Sequence, residues 1–196
     1  MSIDLQGDVV FEVDAIGWAP SGARTALSLH HELDPARLPA ANKGAATVGG
    51  HERTPSGRYV LATGLADEED GLCQAITPGA LKPRVTYRVA GWIRLGEDGA
   101  DAGAAEGATG HAVRVNIRLD EDDGCVVEGG AICAVVGKWT EIKGAFRLKK
   151  SPCAAEVYVQ GAPAGVDVKV MDLQVFATDR KARFRKLRKK TDKVSK

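Results

Sequence analysis

Residues 113–119 read Val, Arg, Val, Asn, Ile, Arg, Leu, with a branched apolar side chain at every second position and a polar one between. In extended backbone, alternate side chains point to opposite faces, so this segment suits a strand with one buried face and one wet face. Thr86–Arg94 repeats the pattern. Tyr87, Val89, Gly91 and Ile93 share one face, and Arg88, Ala90, Trp92 and Arg94 share the other. Shorter extended stretches occur at Val9–Phe11, Thr25–Leu29, Gly57–Thr63, Val126–Val136, Thr140–Leu148, Glu156–Gly161 and Val166–Phe176. About nine short strands parted by Gly, Pro and charged turns, with no helical period between them, predict an all-β antiparallel β-sandwich. A parallel α/β fold would need crossover helices, which this pattern lacks. With 196 residues, 44% of them hydrophobic, the chain can fill such a core.

The connections are read from composition. Gly17–Gly22, around Trp18 and Pro20, reads as a turn, and residues 32–57 as a long loop. Asp67–Gly71 is an acidic loop tip. Residues 96–110, mostly Gly, Ala and acids, form a low-complexity loop. Asp120–Gly124 is a second acidic turn, and Gly124, Gly129 and Gly130 are assigned to turns. The net charge of +1 conceals a division of the chain. Residues 179–196 carry ten Lys or Arg against Asp179 and Asp192, which leaves the first 178 residues acidic. In this tail Phe184, Leu187, Thr191 and Val194 fall at helical spacing, which predicts a short basic amphipathic helix. The division places a sandwich domain at 1–178 and a separate element at 179–196.

The motifs of several catalytic classes are missing. There is no G-x-S-x-G, Walker loop, G-x-G-x-x-G after a strand, or H-E-x-x-H. Cys73, Cys125, Cys133 and Cys153 form no C-x-x-C pair, and His30 and His31, as neighbours on a strand, point to opposite faces. The acidic runs lack the spacing of a calcium loop. No two carboxylates stand out as the pair, about 5 to 10 Å apart, that glycoside hydrolysis uses. The N-terminus has no basic and apolar signal-peptide pattern, and no apolar run is long enough to span a membrane.

Val157-Tyr158-Val159-Gln160 carries the most suggestive binding chemistry. On a strand both valines turn to the core, while Tyr158 and Gln160 share the other face. A ring beside an amide suits a sugar: the ring covers the C–H face of a pyranose and the amide bonds its hydroxyls. A tyrosine packed under a loop would give the same sequence pattern.

Several ordered motifs carry a resemblance. They are Gly17-Trp18-x-Pro20-x-Gly22, then Pro55-Ser56-Gly57-Arg58-Tyr59-Val60-x-x-Thr63, then Val85-Thr86-Tyr87-x-Val89-x-x-Trp92-Ile93-Arg94. Lys138-Trp139-x-Glu141-Ile142-x-Gly144-x-Phe146, Val157–Gly161 and Ala164–Asp167 follow. In this order they resemble the family-22 carbohydrate-binding modules of plant-type endo-1,4-β-xylanases. Asp179–Leu187 and Thr191–Lys193 resemble the first helix of the family-10 glycoside hydrolase domain that follows such modules.

The resemblance implies a jelly-roll module that binds xylan or xylo-oligosaccharides in a cleft on one sheet, without catalysis of its own. The catalytic barrel is expected beyond Lys196. Tyr158 and Gln160 fall at sugar-facing positions, with Gln160 where Glu is common. Glu69 stands where the family usually places a Trp, and Val126 where it commonly has a second aromatic. Both departures imply weakened affinity. Trp92, on the face it shares with Arg88, is a candidate substitute ring. The resemblance also implies a structural calcium ion, with Glu12 and Asp172 as its candidate ligands; no other cofactor is expected. A xylan-binding role implies an extracellular or cell-wall setting, whereas the absent export signal is compatible with retention in the cytoplasm. Two other functions compete: a degenerate structural module without sugar binding, and nucleic-acid binding through the basic tail. The apolar residues interleaved in the tail and the acidic body weigh against the second.

Overall fold

A computed structural model describes residues 9–12, 17–39, 55–96, 110–120 and 125–178. Each of the nine extended stretches became a strand, and two short strands absent from that reading join them, eleven among the described residues. They are β1 (Val9–Glu12), β2 (Trp18–Pro20), β3 (Ala26–His31), β4 (Arg58–Thr63), β5 (Leu72–Ile76) and β6 (Thr86–Leu95), followed by β7 (His111–Leu119), β8 (Val126–Ala134), β9 (Thr140–Arg147), β10 (Ala155–Gln160) and β11 (Val168–Ala177). One sheet, sheet A, runs β3-β4-β11-β6-β9, with β1 also paired to β11. The other, sheet B, runs β2-β5-β10-β7-β8, and all pairings between these strands are antiparallel. This is the expected antiparallel β-sandwich. The only described helical segment is a single 3-10 turn at Pro35–Arg37, capped by the Asp34 carboxylate on the Ala36 N–H. The expected tail helix and most of the low-complexity loop lie outside the described residues. Among the described residues no helix is long and apolar enough to cross a membrane.

The core lies between the sheets and is built from the alternating faces. Val113, Val115, Ile117 and Leu119 of β7 meet Tyr87, Val89, Ile93 and Leu95 of β6 in one buried cluster with Val157 and Val159 of β10. Two expectations are corrected. The Gly17–Gly22 segment is not only a turn: Trp18–Pro20 pairs with β5 as an edge strand, where Pro20 costs the sheet little because one side of such a strand lacks a partner. Gly129 and Gly130 sit within β8 rather than in a turn. A bulge there, between the Val115 and Asn116 pairings, sets two β8 residues against one step of β7. β8 also runs close to β9 of the other sheet: a Cβ on Gly144 of β9 would overlap the Gly129 carbonyl, and one on Gly130 would meet the Lys143 carbonyl oxygen at 3.1 Å.

A second bulge divides β11. Between Met171 and Gln174 the pairing with β6 slips by one residue, and Asp172 adopts a left-handed backbone with φ of 48°. On its other side β11 pairs with β4 before this point and with β1 after it. The extra residue flips side-chain parity, so Val170 and Leu173 both reach the core although three positions apart. Gly91 faces the bulge: a Cβ there would meet the Leu173 Cα at 2.7 Å.

Candidate functional site

The outer face of sheet B gathers the polar and aromatic groups. β10 is central, flanked by β5 and β7. With Val157 and Val159 in the core, Glu156, Tyr158 and Gln160 turn outward. Register places Tyr158 opposite Cys73 of β5 and Asn116 of β7, Glu156 opposite Arg118, and Gln160 opposite Arg114. One strand further, Val126 and Glu128 of β8 lie opposite Arg118 and Asn116. The face is thus a strip of one ring, two guanidiniums, two carboxylates and two amides.

Tyr158 is held tightly within it. The Arg118 guanidinium lies over its ring, 4.2 Å from the centroid, and an Arg118 N–H donates to the phenolic oxygen at 2.9 Å. The Tyr158 hydroxyl donates in turn to Glu156 Oε2 at 2.5 Å. Only 7% of the residue is exposed. Burial, and then the hydrogen bond to the negative Glu156, push its pKa up to about 12. The neighbouring Cys73 thiol is pushed up as well, first by burial and then by Glu156.

The other candidate residues divide into two groups. Gln160 and Glu69 do come together: the Gln160 amide donates to the Glu69 carbonyl at 2.5 Å, and the Gly161 N–H donates to the Glu68 carbonyl at 2.8 Å. The Glu69 side chain is exposed, so it stands on a loop pinned to the rim of the Tyr158 face. The acids of this loop shape it. Asp67 accepts from the Glu69 and Asp70 N–H groups, and Asp70 from that of Ala66. Val126 is exposed on the same face, beyond Arg118.

Trp92 and Arg88 are not part of this site. They share a face, as alternation requires, but it is the outer face of sheet A. There Trp92 is buried with Tyr59 and Met171, against Leu38, Leu61 and Trp139. Tyr59 stacks on His30 and meets Trp139 edge-on, which makes this an aromatic packing layer. The sequence showed which residues of β6 face outward but not which sheet β6 joins. Arg118 was missed for a related reason: its contact with Tyr158 depends on the β7–β10 register.

The metal candidates do not assemble a described site. The Asp172 carboxylate accepts from the Ser56 N–H at 2.8 Å and from the Ser56 hydroxyl at 2.6 Å, which fixes the start of β4 to the β11 bulge. The Glu12 backbone pairs with Gln174, two positions along β11; its side chain lies outside the described residues. Among the described residues no group of three or more His, Cys, Asp or Glu could hold a metal ion, whereas calcium takes six to eight oxygens.

No protein-family profile matches the chain. It is 37% identical over 150 residues to endo-1,4-β-xylanase 1 of Arabidopsis thaliana, a match covering 76% of this chain and 14% of that protein. To endo-1,4-β-xylanase 2 of the same plant it is 40% identical over 141 residues, covering 72% of this chain and 12% of the relative. Among solved structures, the C-terminal family-22 carbohydrate-binding module of a Clostridium thermocellum xylanase superposes with a TM-score of 0.61 at 12% identity, over 90% of this chain and 96% of that one. The family-22 and family-10 modules of the same bacterium's endo-1,4-β-D-xylanase, solved with xylohexaose, give 0.58 at 16% identity, over 92% of this chain and 29% of that one. The chain therefore spans a small part of the plant xylanases to which it is homologous, and it has the fold of the family-22 carbohydrate-binding modules.

Proposed function

We propose that the chain is a xylan-binding module of an endo-1,4-β-xylanase, and that it binds β-1,4-linked xylose chains without cleaving them. The observation that carries this reading is the outer face of sheet B, where Tyr158 lies among Arg114, Asn116, Arg118, Glu156 and Gln160. A flat ring amid hydrogen-bonding groups is what a pyranose chain needs. The homology to plant xylanases supports the polysaccharide, and the solved relative with xylohexaose supports an oligosaccharide of that length as the probe. In this reading residues 179–196 lead into a family-10 catalytic domain, and the protein works outside the cell against wall polysaccharide. A structural calcium would stabilise the fold rather than touch sugar.

A second reading, a structural module that has lost its sugar site, is favoured by Glu69 and Val126 standing on this face where rings would extend it. Isothermal titration with xylohexaose separates the two. Binding by the wild-type protein, weakened about fivefold or more in Tyr158→Leu, is the expected result. Absence of heat at millimolar ligand, with an intact fold by circular dichroism, would favour the structural reading.

A further inference from the structure

The Tyr158 ring is already occupied by this chain. Arg118 projects from β7 directly across from Glu156, and its guanidinium covers the ring face at 4.2 Å while its N–H bonds the phenolic oxygen. A guanidinium is planar, and it stacks on an aromatic face much as a sugar does. The opposite side of the ring is no alternative, because Tyr158 stands on a central strand with neighbours on both sides and little exposed surface. Arg118 itself is exposed and rooted in a regular part of β7, so its side chain can swing outward without moving the strand. Glu156 keeps the hydroxyl fixed when that happens, since its carboxylate accepts the hydrogen bond from the Tyr158 hydroxyl independently of Arg118.

We propose that Arg118 is the affinity-setting residue of this face: it acts as an internal competitor that must leave the Tyr158 ring before a neutral xylose unit can stack there. The inference rests on the xylan-binding reading and adds to it a specific cost of opening. Stacking of a cation on an exposed ring corresponds to roughly two- to fivefold in an equilibrium constant, and to more where water is excluded. Arg118→Ala is therefore expected to bind xylohexaose about three- to tenfold more tightly than the wild type, contrary to the usual loss on removing a polar residue from a binding face.

The test is a cycle of four proteins titrated with xylohexaose: wild type, Arg118→Ala, Tyr158→Leu and the double variant. Leu keeps most of the buried volume at position 158 but has no π face, and melting curves verify that all four fold. Tighter binding by Arg118→Ala, with the gain absent when Tyr158 is Leu, supports the proposal. Weaker or unchanged binding by Arg118→Ala in a wild type that does bind overturns it; Arg118 would then be a sugar contact or a bystander, and the xylan reading would stand. If none of the four binds, both the proposal and the xylan reading fall. Binding by Arg118→Ala alone would be its strongest support.

Discussion

The two outer faces of the sandwich use aromatic residues in opposite ways. On sheet A, Tyr59, Trp92 and Met171 are packed beneath Leu38 and against Trp139, and Lys169 lies 2% exposed beside the Tyr59 ring. This face is a second, smaller core. On sheet B, among the described residues, the Tyr158 ring lies among charges and amides, with the guanidinium of Arg118 over its face. A ring under apolar residues contributes to stability. A ring under a displaceable polar side chain keeps a surface that a ligand can take over. An outward position in a strand cannot distinguish these cases; the cover over the ring does.

The largest effect that would break this comparison lies on sheet A. Trp92→Ala should destabilise the fold by about 3 to 5 kcal/mol, as removal of a large buried aromatic usually does. The folded fraction should keep its xylohexaose affinity. Urea unfolding and titration on the same preparation check both parts. If stability barely moved and sugar affinity collapsed instead, the division of labour between the faces would be wrong.

A smaller effect would sharpen the role of the Tyr158 face. The Gln160 amide pins the Glu69 backbone at its rim, and the Glu69 side chain is exposed. Glu69→Trp should therefore add a second stacking surface and raise xylohexaose affinity about fivefold, with little change in melting temperature. An equal gain from Glu69→Ala would mean that removal of charge, not addition of a ring, was responsible.

Much of the fold was legible because it rests on alternation. The core faces of β6, β7 and β10 follow from period two, and so does the outward placement of Tyr158 and Gln160. What escaped was set by pairing. β5 is only five residues long, and β2 contains Pro20 beside glycine-rich turns; both exist because β10 supplies a neighbour for the one and β5 for the other. The glycines of β8 read as turn residues, yet they serve a bulge and a close approach between sheets. In the same way Trp92 seemed available to a sugar site because alternation is silent on sheet membership, and the cover that Arg118 places over Tyr158 needs a register no local pattern encodes. Arrangement of strands, more than residue type, decided which rings were functional candidates.

The smallest predicted effect tests the polar clamp that keeps the sheet B ring in place. Burial and the Glu156 acceptor raise the Tyr158 pKa to about 12, against about 10 for the free side chain. The unfolded chain thus releases this proton before the folded one does. The stability from the Tyr158 interaction is complete below about pH 10 and declines as pH rises to about 12, where the folded state ionises too. In Glu156→Gln a neutral amide replaces the carboxylate, so the phenolate no longer faces a negative neighbour while Arg118 still favours it. Its pKa should fall back toward the ordinary value, and the alkaline loss of stability should narrow. An alkaline titration followed by phenolate absorbance, with Tyr158→Leu subtracted to isolate this group from the other two tyrosines, reads the shift directly. Identical curves for the wild type and Glu156→Gln would show that burial alone raises the pKa. In that case Glu156 would not anchor the hydroxyl, and the ring would be free to move with Arg118 when the face opens.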